Sequence, residues 1–143
     1  MALTANNNLA ELLLHVGRPH EAEPLLETVL AKCKETLPEK DPLTLITANN
    51  LATILLDRKA FDEAEPLLKF TYDTRVEVYG KRHPSTLNAL NWLASVYKGL
   101  KKLEEAEQAY EEVVNARKET LGELHMSTLT SINNFAVFLG ESQ

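Results

Sequence analysis

Apolar residues along this chain recur three and four positions apart, in stretches of about 15 to 20 residues that glycine or proline interrupts, which is the period and length of amphipathic helices. The first stretch, Ala2 to Val16, carries Leu9, Leu12, Leu13 and Val16 on one stripe and stops at Gly17-Arg18-Pro19. The second, Pro19 to Leu37, puts Ala22, Leu25, Leu26, Val29, Leu30 and Cys33 on a broad face, with acids early and lysines late as a helix dipole prefers. Asp41-Pro42 reads as an N-cap and first helical position for a third helix, Leu43 to Arg58. Helices over Phe61 to Tyr79, Ser85 to Leu100, Leu103 to Leu121 and Ser127 to Leu139 follow, the last without a partner. No stretch alternates apolar and polar residues for long enough to make a strand. The pattern therefore predicts an all-α chain of seven helices.

The helices are copies of one another. Asn7-Asn8-Leu9-Ala10, Asn49-Asn50-Leu51-Ala52, Asn91-Trp92-Leu93-Ala94 and Asn133-Asn134-Phe135-Ala136 stand 42 residues apart. Leu3, Leu45, Leu87 and Leu129 share that register, as do Ala22, Ala64 and Ala106, and Thr44, Thr86 and Thr128. Alanine at one place in both helices of each pair allows close approach, and larger apolar residues around it fill the space between pairs. This is the signature of a solenoid of helix hairpins, each touching its neighbours.

Composition narrows the function. With 15 Lys and Arg against 21 Asp and Glu, the 143-residue chain carries a net charge of −6 and offers no broad basic surface, so nucleic acid is not an expected partner. No apolar run approaches the roughly 20 residues of a membrane span, and the N-terminus lacks a signal-like region, so a cytoplasmic protein is expected. Cys33 is the one cysteine, which excludes an internal disulfide and a cysteine-built metal site. His83 and His125 fall at equivalent junctions one repeat apart, which repetition explains without any ligand. No nucleophile, base and acid arrangement, glycine-rich phosphate loop or cofactor motif stands out, and an enzyme is not expected.

The segments LATILLDRKAFDEAEPLLKFTYDTRVEVYGKRHPSTL and LASVYKGLKKLEEAEQAYEEVVNARKETLGELHMSTL resemble tetratricopeptide repeats. The 42-residue spacing, the NNLA opening, the AEPLL motif and the GKRHPSTL junction resemble in particular the longer repeats of kinesin light chain and nephrocystin-like proteins. The first junction, LPEKDP, and the third, with HM in place of HP, depart from that pattern. The resemblance implies a right-handed α-solenoid forming a single array, with repeats at about 1–42, 43–84 and 85–126 and a half-repeat at 127–143. It also implies a protein or peptide partner held in a concave groove lined by the first helix of each repeat.

Helical geometry separates a core stripe on the third helix, Leu45, Ala48, Ala52 and Leu55, from a mixed one, Ile46, Asn49, Asn50, Thr53, Leu56 and Asp57. If the mixed stripe is the groove floor, it continues as Thr4, Asn7, Asn8, Glu11, Leu14 and His15 in the first repeat, and as Asn88, Asn91, Trp92, Ser95 and Lys98 in the third. The last half-repeat adds Thr130, Asn133, Asn134 and Val137. Asparagine is a poor helix former, so its fourfold recurrence asks for a reason. A carboxamide donates and accepts, and a row of them can pair with the backbone of an extended peptide. The resemblance implies that role for Asn7, Asn49, Asn91 and Asn133, and Asn50, Trp92, Ser95 and Lys98 join the candidate peptide-binding set. The alternative is that the asparagines bond between repeats and fix their register, with Trp92 packing there too. A second alternative is structural: a unit of a longer array, or a homodimer or stack formed through terminal helices, with Ile132, Phe135 and Leu139 on the self-associating face.

Overall fold

The computed structural model describes residues 2–38 and 40–141. They form α1 (Leu3–His15), α2 (Pro19–Thr36), α3 (Pro42–Asp57), α4 (Phe61–Tyr79), α5 (Pro84–Gly99), α6 (Leu103–Leu121) and α7 (Met126–Glu141), and no strand forms among them. The helices pack as two compact units, Met1–Ala60 and Phe61–Gln143. Glu39 of the first junction, Met1, and the last two residues of the expected half-repeat lie outside the described residues.

The helix starts follow from residues at the junctions. Asp41 sits in extended backbone before Pro42 and its side chain accepts the Leu43 N–H at 2.9 Å. His83 and His125 do the same work: Nδ1 of each accepts the N–H two residues on, from Ser85 and Ser127, both at 3.1 Å. An acceptor at that point satisfies one of the N–H groups a helix start leaves orphaned. α5 and α7 consequently begin one residue earlier than the sequence pattern placed them.

The tight turns between first and second helices repeat as well. Gly17 N bonds Leu14 O and Arg18 N bonds Leu13 O; Lys59 and Ala60 pair with Leu56 and Leu55, and Lys101 and Lys102 with Lys98 and Tyr97. Each is a Schellman end, with its left-handed residue at Gly17 (φ 78°), Lys59 (φ 59°) or Lys101 (φ 62°). Gly99 is the last residue of α5. There a Cβ would overlap the Phe61 ring, so the glycine makes room for an aromatic side chain.

In unit 1, α2 contributes Ala22, Leu26, Val29, Leu30 and Cys33 to the core, close to the expected face. α1 differs from expectation: Leu9, Leu12 and Val16 are exposed, and Asn7 and Ala10 are the buried residues. Helix α1 contacts α2 and α3 together, and the side that carries small Ala10 is the one that can come close to both. α3 buries Thr44, Thr47, Ala48, Leu51, Ala52, Ile54 and Leu55, wider than the expected four-residue stripe, and Leu45 is only half-buried. In unit 2, Leu90, Ala94, Ala106, Ala109, Tyr110, Val113 and Phe138 form one cluster, with Tyr72, Tyr97 and Phe135 packed against it.

Candidate functional site

The asparagine column divides into different environments. In unit 1, Asn7 is only 3% exposed and its side chain is held from several sides. Its Oδ1 accepts from Thr47 Oγ1 at 3.3 Å and from Asn50 Nδ2 at 3.5 Å, while its Nδ2 donates to Glu11 Oε1 at 3.3 Å. Asn50 Nδ2 also donates to Glu11 Oε1, at 3.1 Å. Four side chains therefore tie α1 to α3, and Asn7 and Asn50 are committed to that tie. Asn49, beside Asn50, is half-buried; its Oδ1 is shielded from solvent and accepts no hydrogen bond.

In unit 2, Asn91 shares the condition of Asn49: half-buried, with a shielded Oδ1 that accepts no hydrogen bond. Its backbone carbonyl accepts from Ser95 Oγ at 3.4 Å. Trp92 and Ser95 are half-buried and Asn133 is exposed. Lys98 Nζ lies 2.5 Å from a Glu141 carboxylate oxygen, a partly exposed pair of the kind that contributes little to stability.

A residue that sequence reasoning passed over organises the α6 and α7 side. Arg117 Nη1 donates to Ser131 Oγ at 2.5 Å and to Ser127 O at 3.3 Å, and Nη2 donates to Asn88 Oδ1 at 2.9 Å. Arg75, one repeat earlier, donates from Nη1 to Ser85 O at 2.8 Å. Burial lowers the affinity of both guanidiniums for their protons, but an arginine stays charged at neutral pH. The signal was available as two arginines one repeat apart, each ten residues before a serine in the same register. The expected groove residue Asn88 is thereby partnered.

The set Ile132, Phe135 and Leu139 on α7 is half-buried. Phe135 lies 6.4 Å, centroid to centroid, from Tyr110, and Phe138 lies 5.2 Å from it. Leu129 on the same helix is exposed. Among the described residues no group of His, Cys, Asp and Glu is arranged to hold a metal, and no helix is long and apolar enough to cross a membrane. Cys33 is fully buried, and burial raises its thiol pKa, so it presents a protonated, inert side chain.

Comparison with known proteins adds the following. The model of the tetratricopeptide repeat family matches residues 1–75, 44–119 and 85–141. A crystal structure of nearly identical tetratricopeptide-like repeats of kinesin light chain type from Podosopora anserina is 29% identical, with a TM-score of 0.81, over 95% of this chain and 64% of that one. BtubC of P. vanneervenii, at 23% identity and a TM-score of 0.75, covers 94% of this chain and 53% of its own, and shares the fold. The chain thus spans less than two thirds of the length of these solved relatives. A search of curated protein sequences returned no match.

Proposed function

The chain belongs to the tetratricopeptide repeat family, an all-α solenoid fold, and on that premise we propose that it is a non-catalytic protein-interaction module. Its first helices hold an extended peptide or partner segment, with Asn49 acting in unit 1, and Asn91, Trp92, Ser95, Lys98 and Asn133 in unit 2. One observation carries this reading: at two equivalent positions, Asn49 and Asn91, a carboxamide oxygen is shielded from water without a donor. A buried carbonyl left unpaired costs about 1–3 kcal/mol. Such a group in a native structure calls for an explanation, and a ligand is one. Rotation of the half-exposed amide about its soft terminal torsion turns the oxygen outward, where a peptide N–H supplies the missing bond. Asn7 and Asn50 then serve the fold, and the fourfold column performs two jobs.

Unit 1 presents Glu11 and Asp57, and in unit 2 Lys98 is paired with Glu141, so neither unit by itself offers a basic surface for a strongly acidic peptide. The same reading places the chain in the cytoplasm, without nucleic acid, cofactor or metal among its ligands. Screening a peptide library against the chain, with the Asn49→Ala, Asn91→Ala double variant as control, tests the proposal. Peptides lost in the variant, at unchanged fold by circular dichroism, support it; a peptide set that binds the variant equally well removes the role of the asparagines. Self-association through Ile132, Phe135 and Leu139 is the rival reading, resting on the half-buried state of these three residues. A light-scattering mass that rises with concentration would favour it.

A further inference from the structure

Four positions of unit 2 depart from the residues of their repeat copies and meet at one cleft. Tyr72 stands where the other copies have Leu30 and Val114, and Tyr97 where they have Leu55 and Leu139. Ala109 replaces the leucine found at Leu25 and Leu67, and Glu112 stands where Thr28 and Phe70 do. These four side chains line a hollow of about 250 Å³ between α4, α5 and α6. A leucine at 109 would project into that space; alanine leaves it open. Two tyrosines in place of aliphatic side chains give it ring faces, and glutamate gives it a charge.

The floor is apolar and the rim is charged. Leu90, Leu93 and Ala109 are buried, Tyr72 and Tyr97 are half-buried, and Glu105 and Glu112 stand exposed at the edge. The lysines nearby already have partners: Lys69 Nζ lies 3.8 Å from Asp73 Oδ1, and Lys102 Nζ lies 2.8 Å from Glu65 Oε1. Glu112 enters no ion pair among the described residues. The Tyr72 hydroxyl registers the resulting negative field, since burial pushes its pKa up and the carboxylates of Glu112 and Asp73 add to the rise. Ring faces over an apolar floor, with an uncompensated carboxylate at the rim, suit a cation carried on an apolar stem. The volume is below the roughly 300–1,000 Å³ of small-molecule sites and matches a single side chain. The geometry points to an arginine side chain of a partner polypeptide as the occupant. Its methylenes cover Leu90, Leu93 and Ala109, its flat guanidinium stacks on a tyrosine ring, and the Glu112 carboxylate accepts from its N–H groups. Lysine fits less well, because its ammonium is more strongly hydrated and cannot stack. From α5 the cleft takes Leu90, Leu93 and Tyr97, so it is separate from the side that bears Asn91, Ser95 and Lys98.

The test titrates three end-blocked tripeptides, Gly-Arg-Gly, Gly-Lys-Gly and Gly-Gly-Gly, into the 143-residue protein at low ionic strength. Binding is read from the NMR signals of the Ala109 and Leu93 methyls and the Tyr72 and Tyr97 rings. Saturable shifts are expected with the arginine peptide, weaker ones with the lysine peptide and none with the glycine peptide, while the Trp92 indole signal stays in place. Glu112→Gln, at an exposed position, weakens arginine-peptide binding about tenfold, the size of one hydrogen bond to a charged group. Ala109→Leu restores the residue of two other copies and abolishes binding by filling the hollow; circular dichroism checks that the variant is folded. Because Ala109 also belongs to the core, Glu112→Gln carries the test if that variant does not fold. No saturable shift with the arginine peptide, equal shifts with the lysine or glycine peptide, or binding indifferent to Glu112→Gln overturns the proposal. So does a shift confined to Trp92, because the peptide then sits on the asparagine surface.

Discussion

Asn7 in unit 1 and Asn91 in unit 2 occupy the same place in the repeat, two repeats apart, yet one is fully engaged and the other holds an oxygen without a donor. The difference comes from their neighbours. Around Asn7 stand Glu11, Thr47 and Asn50, and all bond into one cluster between α1 and α3. The corresponding residues of unit 2 are Ser95, Ser131 and Asn134. Ser95 is too short to reach an amide as Glu11 does, and its hydroxyl turns back to the Asn91 carbonyl. Ser131 is taken by Arg117 and by the Ser127 carbonyl. Cys33 of unit 1 stands where Arg75 and Arg117 stand in unit 2, so the side chain that engages Ser131 in one unit has no counterpart in the other. Repetition fixes where a side chain stands; the residues around it decide what it does.

The largest expected effect removes the arginine that makes the two neighbourhoods unlike. Arg117→Ala deletes charge-assisted bonds to Ser131, the Ser127 carbonyl and Asn88, and hydrogen bonds to charged groups contribute about 1.5–3 kcal/mol each at most in partly buried settings. A loss of about 2–3 kcal/mol in urea unfolding is expected, with hydrogen exchange rising first in α7. Because Arg117 and Ser131 bond each other directly, each single substitution already loses that bond, and Arg117→Ala with Ser131→Ala should cost less than the sum of the two alone. Strict additivity would show that the Arg117–Ser131 bond contributes nothing to stability.

Asn7→Ala attacks the engaged member of the comparison. Thr47 loses its acceptor and Asn50 one of its two, in a buried setting, for an expected loss of about 1–2 kcal/mol. The readout is faster amide exchange in α1 with α4 to α7 unchanged. An α1 that exchanges as in the parent protein would show that the four-residue tie does not hold it.

Much of this was readable from residues alone, and the unread part has a physical cause. Helix number, order and type followed from periodicity and turn residues, and Asp41 was legible as an N-cap because aspartate is a common one. His83 and His125 were not, since only the observed geometry shows an accepting ring nitrogen standing where aspartate stands in the first junction. On α1 the period was right and the side wrong: leucines marked the exposed stripe, and Asn7 with Ala10 the buried one, because packing against two helices at once favours the small side. The candidate site was legible as a column and not as a division of labour. Whether Asn7 bonds to Thr47 or faces a ligand depends on which helix lies across from it, and helical spacing is silent on that.

The turns offer a smaller contrast of the same kind. Gly17, Lys59 and Lys101 hold one left-handed position in three copies, and a side chain there costs about 1 kcal/mol relative to glycine. Lys101→Gly in unit 2 and Lys59→Gly in unit 1 are each expected to raise stability by about 0.5–1 kcal/mol, less the extra freedom glycine gives the unfolded chain. A loss on either substitution would mean that the lysine side chain contributes more than its backbone strain removes.

The smallest effect separates the two asparagines by sign. Alanine is the better helix former by about 0.5 kcal/mol or slightly more, and Asn91→Ala also deletes a shielded oxygen that no donor satisfies. The variant is expected to be more stable than the parent by about 0.5 kcal/mol, and Asn49→Ala likewise, against the loss expected for Asn7→Ala. An asparagine that weakens its own helix and remains in the repeat is the trade expected of a residue kept for binding rather than for the fold. If Asn91→Ala instead destabilises unit 2 as much as Asn7→Ala destabilises unit 1, the unit 2 asparagine is structural after all, and the column performs one job throughout.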